Sequence, residues 1–209
     1  TNLWRWIKGT STFNANGIYG TKGVADVANN PGGRYYGYGG IINDKFYMFG
    51  GFGFGVAGGY GQLNDLWEFD MNTNNWRWLT GINATDGLGI YGTLQTYSST
   101  NTPSSRRTFT GAIGNGTLYV FGGFGNSQSP GGGQLNDLWE YDPTINQWRW
   151  LKGQTNINNI GVYGNVGVAS ASSLPGSREQ TVINYINGSL YLFGGRGYNS
   201  IAGNVYESD

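Results

Sequence analysis

The chain has 209 residues, its 12 basic and 12 acidic side chains cancel, and charged residues make up only 11% of it. With a pI near 6.1 it carries no global field to draw nucleic acid or an anionic membrane surface. Cysteine and histidine are both absent, which removes disulfides, thiolate chemistry, imidazole bases and most zinc or copper sites together, so no cofactor and no metal is expected.

No apolar run approaches the roughly 20 residues of a membrane helix, and the first residues form no basic start with an apolar core, so membrane insertion is not expected. A beginning at Thr1 without Met looks like a mature or excised product. The 39 glycines, 8 tryptophans and 15 tyrosines suit short strands and tight turns, and no window sustains a 3.6-residue period.

The chain repeats itself. Phe46-Tyr47-Met48-Phe49-Gly50-Gly51 returns as Leu118-Tyr119-Val120-Phe121-Gly122-Gly123 and again as Leu190-Tyr191-Leu192-Phe193-Gly194-Gly195, 72 residues apart each time. Each run reads as a buried strand whose end requires positive φ or close backbone approach.

In chain order, Trp4-Arg5-Trp6 matches Trp76-Arg77-Trp78 and Trp148-Arg149-Trp150, a short strand with tryptophans on one face and arginine on the other. A segment of about 25 residues rich in Gly, Asn and Ser follows, long for a connection. Gly17-Ile18-Tyr19-Gly20, Gly89-Ile90-Tyr91-Gly92 and Gly161-Val162-Tyr163-Gly164 are expected to pin it to the body through the tyrosine. Pro31, Pro103 and Pro175 then lead into Arg34, Arg106 and Arg178, whose regularity suggests bonds to carbonyls between blades rather than to a carbohydrate or carboxylate partner.

The next strand is expected over Tyr36 to Ile42, Phe109 to Ile113 and Thr181 to Ile186. It turns at Asn43-Asp44, Asn115-Gly116 or Asn187-Gly188 into the double-glycine strand. A glycine-rich loop leads to Asn64 to Asp70 and Asn136 to Asp142, a third strand whose acids read as turn initiators and rim charges. In the third copy Asn204 to Asp209 stands in for it.

Four antiparallel strands per unit, repeated, are the signature of a propeller blade. The run ending in Gly-Gly, the aromatic-Asp pairs Phe69-Asp70 and Tyr141-Asp142, and Trp76 and Trp148 six residues on resemble the kelch motif. Kelch units are nearer about 50 residues, and the long loop accounts for the excess. The resemblance implies an all-β, kelch-like β-propeller array of three four-stranded antiparallel blades, the last completed by the N-terminal strand. The repeat divides the chain into residues 1–9 (that outermost strand), 10–81, 82–153, and 154–209 lacking its outermost strand. Complementary ends leave three outcomes: an excerpt of a longer propeller, two chains completing a ring, or head-to-tail filaments.

Residues that interrupt the repeat are freer to serve a ligand. The candidates are Arg107, Arg196 and Tyr198, with Phe54 and Tyr60, and Phe52 and Phe124 beside them, on the loops after the double glycines. Asp26, Asp44, Asp86 and Glu179 lie off the repeated third strand, but none has a second carboxylate near it in sequence, so no catalytic constellation is evident. Asn83, Asn115 and Asn187 head Asn-X-Ser/Thr sequons and are glycosylation candidates. The functional expectation is a non-catalytic interaction or structural module, extracellular or at the cell surface. It would bind a protein, itself through its terminal strands, or a glycan, and not nucleic acid.

Overall fold

The computed structural model describes residues 2–56 and 58–200 and, for the backbone alone, 204–205. Among them there is no helix, and the strands fall into the three units of the repeat. The first unit holds β1 (Ala25–Asp26), β2 (Arg34–Tyr35), β3 (Tyr38–Ile42), β4 (Lys45–Phe54), β5 (Tyr60–Asp70) and β6 (Asn75–Thr80). The second holds β7 (Arg106–Arg107), β8 (Thr110–Gly114), β9 (Thr117–Gly125), β10 (Gly133–Asp142) and β11 (Gln147–Lys152), and the third β12 (Arg178–Glu179), β13 (Val182–Ile186), β14 (Ser189–Phe193), β15 (Arg196–Tyr198) and β16 (Asn204–Val205).

Within the first unit the antiparallel order runs from β2 and β3, both paired to β4, through β5 and β6 to β1. The second unit repeats it up to β11, and Ser98 bridges Trp148 where β1 pairs with β6.

The strand before the Asn turn begins later than the sequence suggests, because Tyr36, Thr108 and Gln180 adopt φ of 58°, 52° and 57° and break it into two pieces. The double glycine answers that kink. Gly51 has φ 102°, and a Cβ there would lie 2.7 Å from the Tyr35 carbonyl oxygen and 2.9 Å from the Gly37 nitrogen, so both reasons for glycine apply at one residue. The turns are as expected, with Asn115 at φ 49° and Gly116 at 75° between paired Gly114 and Thr117.

Each unit buries its aromatic face on the next. Phe49 of the first unit meets Phe109 and Trp148 of the second, at 5.5 and 5.2 Å between ring centroids, inside a core that also holds Tyr47, Leu118, Val120, Trp139 and Tyr141. Burying each such side chain contributes about 1.5–3 kcal/mol. A second core at the next junction joins Tyr119 and Phe121 to Ile183 and Tyr185. Tyr191 and Phe193, at the same places in the third unit, are exposed.

Two expectations need correction. Residues 2–7 form no strand and pair with no described strand of the third unit; Trp4 is exposed. They lie instead beside the first unit, where Lys8 Nζ donates to the Val27 carbonyl (2.5 Å), and Arg5 to Gly9 share a cleft of about 520 Å³ with Met48, Phe69 and Trp76. The third unit's last strand is also placed differently. Val205 pairs with Gly197 and Asn204 with Tyr198, the register of Gly61 with Gly53 and Tyr60 with Phe54. Asn204 therefore opens the third strand, and residues 206–209, which the sequence assigns to that strand, lie outside the described residues.

Candidate functional site

The repeated polar residues form the frame. In the second unit the Arg106 guanidinium donates to both oxygens of Asp137 (2.7 Å each), to the carbonyls of Ser104 and Gly122 (3.1 Å each), and to Ser104 Oγ (3.1 Å). Tyr91 Oη and Trp139 Nε1 donate to Asp137 Oδ2 as well, each at 2.7 Å. Arg34, Asp65, Tyr19 and Trp67 repeat the arrangement in the first unit. Burial would raise the Asp65 carboxyl, but Arg34 and the bonds from Tyr19 and Trp67 hold it below the usual carboxylate range. Burial and Asp65 push the Tyr19 hydroxyl far above its ordinary value.

These acids are therefore not rim charges. Asp65 and Asp137 are fully buried, and Glu68 and Glu140 nearly so. Glu68 accepts from Tyr47, Lys45 and Arg77, and Glu140 from Tyr119, Thr117 and Arg149. Asp70 keeps the turn role, accepting from the amides of Asn72 and Thr73. Arg178 bonds the carbonyls of Gly176 and Gly194, so the regular arginines are scaffold, but the carbonyls they hold lie in their own unit and not between blades as the sequence suggests.

The residues that break the repeat gather at the other end of the long strands. Three cross-strand pairs occupy one repeat position: Tyr35 opposite Phe52, Arg107 opposite Phe124, and Glu179 opposite Arg196. The Arg107 guanidinium carbon sits 4.7 Å from the Phe52 ring centroid and 5.1 Å from that of Phe124, so one cation braces rings of two units. Tyr60 meets Phe52 at 4.7 Å and Phe54 at 5.0 Å, and its hydroxyl lies 2.9 Å from that of Tyr35. Half of Tyr35 and of Tyr60 stays exposed, at 46% and 53%.

The strip continues into the third unit with polar chemistry. Thr108 Oγ1 donates to Glu179 Oε2 (2.6 Å), while Gln134 Nε2 donates to Glu179 Oε1 (3.3 Å) and to the Arg196 carbonyl (3.1 Å). Of the sequence candidates, Arg107, Phe54 and Tyr60 share the aromatic part and Arg196 lies in the polar part. Tyr198 stands at the third unit's equivalent of Phe54, and the described contacts do not join it to the aromatic part. Tyr35, Thr108, Gln134 and Glu179 escaped the sequence reading as site residues. The signal was present, since Tyr35, Arg107 and Glu179 lie 72 residues apart with three unlike chemistries. Among the sequon asparagines, Asn115 and Asn187 are exposed at hairpin tips opposite this strip, and Asn83 is half-buried.

Among the described residues no group of three or more acids could hold a metal ion. Residues 105–149 match the family model of the Kelch motif, from β7 into β11. The first unit has the same strand register, so the kelch motif of residues 105–149 stands in a chain of like antiparallel units. Among solved structures it is similar to one titled "Structure of YjhT", with 23% identity and a TM-score of 0.46; the match covers 86% of this chain and 37% of that one. No curated protein matches the sequence.

Proposed function

We propose that the chain is a non-catalytic interaction module working outside the cell, and that it engages its partner through the strip from Tyr35 to Arg196. The observation that carries this reading is the strip itself: off-repeat residues from all three units meet there, and its exposed members are the rings of Tyr35 and Tyr60, near the braced Arg107, and Arg196. Tyr, Trp and Arg dominate binding surfaces because they bring large contact area with few rotamers to fix. A non-catalytic role is supported by the absence of His and Cys and by the ion pairs that occupy Asp65, Glu68, Asp137 and Glu140. The exposed sequon asparagines, at the end away from the strip, support an extracellular setting.

The test is an array of immobilised proteins, peptides and glycans probed with the wild-type chain and a Tyr60→Ala, Arg107→Ala double variant. Capture by the wild type that the folded variant loses is the expected result. Equal capture by both would overturn the reading.

A second reading, association of copies through their open ends and head-to-tail growth into filaments, is favoured by one comparison. Tyr191 and Phe193 are 60% and 70% exposed, where Tyr47 and Phe49 are 5% and 0%. Native mass in dilute solution tests it: a ladder of masses supports it, and a single monomer removes it.

A further inference from the structure

We infer that the strip binds a neutral saccharide, its pyranose faces on Tyr60 and Phe54 and its hydroxyls on the Tyr35–Tyr60 hydroxyl pair and the Glu179–Gln134 cluster. This rests on the reading of the strip as the partner-binding surface and goes on to name the ligand's chemistry. Three observations lead to a neutral, hydroxyl-rich ligand.

The first is the division of the strip. The rings of Phe52, Phe54 and Tyr60 sit in the first unit, within 5.0 Å of one another along the chain of contacts, and the hydrogen-bonding groups of Thr108, Gln134 and Glu179 follow in the next two. A sugar has the same division, with apolar C–H faces and a girdle of hydroxyls that both donate and accept. The paired hydroxyls of Tyr35 and Tyr60 and the carboxylate of Glu179 supply acceptors for such donors.

The second is the charge balance. Glu179 accepts from Thr108, the residue after Arg107, and stands across the strands from Arg196, so the strip sets a carboxylate among its two arginines rather than presenting a cluster of one sign. A part-exposed arginine also contributes little through charge alone, because solvent screens it.

The third is the use already made of Arg107. Its guanidinium already lies against two rings, Phe52 of the first unit and Phe124 of the second. That plane positions Phe52, and through it Tyr60, as a lysine ammonium would not.

The experiment is a binding titration of the wild-type chain against three sets of probes: neutral gluco-, manno-, galacto- and xylo-oligosaccharides, oligogalacturonate, and an Asp/Glu-rich peptide. At least one neutral oligosaccharide is expected to bind. Tyr60→Ala should weaken it tenfold or more, and Arg107→Lys severalfold despite the retained charge, with unchanged thermal midpoints for both. Glu179→Gln should not convert the chain into a binder of oligogalacturonate. Binding of oligogalacturonate or the peptide alone, lost in Tyr60→Ala, would overturn the neutral-saccharide inference and leave the interaction reading standing. Binding of none of the three sets overturns the inference, and equal capture of protein partners by wild type and double variant on the array separately overturns the interaction reading.

Discussion

Arg106 and Asp137 meet through two parallel hydrogen bonds of 2.7 Å with both side chains wholly removed from solvent. A buried pair of this kind is costly to break, because the survivor is left charged without a partner. Arg106→Met should destabilise the chain by about 3–5 kcal/mol. The neighbouring Arg107→Ala should cost under about 1 kcal/mol, since its guanidinium bonds no described carboxylate. Urea unfolding of the two variants side by side measures the difference.

The same frame fixes a pH dependence. Asp65 and Glu68 are held below their ordinary values by their cationic and hydroxyl partners in spite of burial, so the folded state binds fewer protons than the unfolded one as acid is added. Their stabilisation is complete above the unfolded carboxylate range, near pH 4, and is lost as pH falls through the lower folded values. Tyr19 and Tyr91 act in the opposite direction: burial raises both, and their contribution, complete below about pH 10, is lost as pH rises above it. Thermal midpoints across pH 2 to 11 should fall at both ends, and Asp65→Asn should flatten the acid limb.

Glycine substitutions separate conformational strain from lack of space. Gly122 and Gly116 both have positive φ, at 61° and 75°, but a Cβ at Gly122 would lie 2.6 Å from the Arg178 carbonyl oxygen, whereas one at Gly116 would meet nothing within 4 Å. Gly116→Ala should cost about 1–2 kcal/mol, the penalty of the left-handed region. Gly122→Ala must also displace backbone of the third unit and should cost clearly more, as read from denaturant midpoints.

Trp148 Nε1 donates to Thr80 Oγ1 (2.9 Å), tying the outer strand of the second unit to that of the first. A double-mutant cycle of Trp148→Phe and Thr80→Val should return a coupling of about 0.5–1.5 kcal/mol, the net value of one such bond. A coupling of zero would mean that the rings alone hold this junction.

Much of the frame was legible because each unit announces it at a fixed spacing. The Asn-Gly turns, the double glycines and the tyrosines of the long loops each have a local physical requirement, and each took the expected role. What was not legible depended on residues distant in sequence. Nothing around Asp65 says that Tyr19 and Arg34 will surround it, so its type and position alone suggested a rim charge. The site was half visible for a related reason: Arg107, Phe54 and Tyr60 stood out as breaks in the repeat, whereas Tyr35 and Glu179 join them only because strand pairing sets them at the same level.

The pairing of Ala25 and Asp26 with Arg77 and Trp76, echoed by Ser98 against Trp148, has a consequence for life in a crowded solution. The tryptophan strand ends its sheet, and a bare row of amides and carbonyls beside tryptophan would invite a neighbouring molecule to add a strand there. The long loop folds back and occupies that row first. Removing residues 21–28, which carry the Ala25–Asp26 pairing but not Tyr19, would keep Tyr19 on Asp65 and expose this edge, giving a chain that stacks through its tryptophan strands.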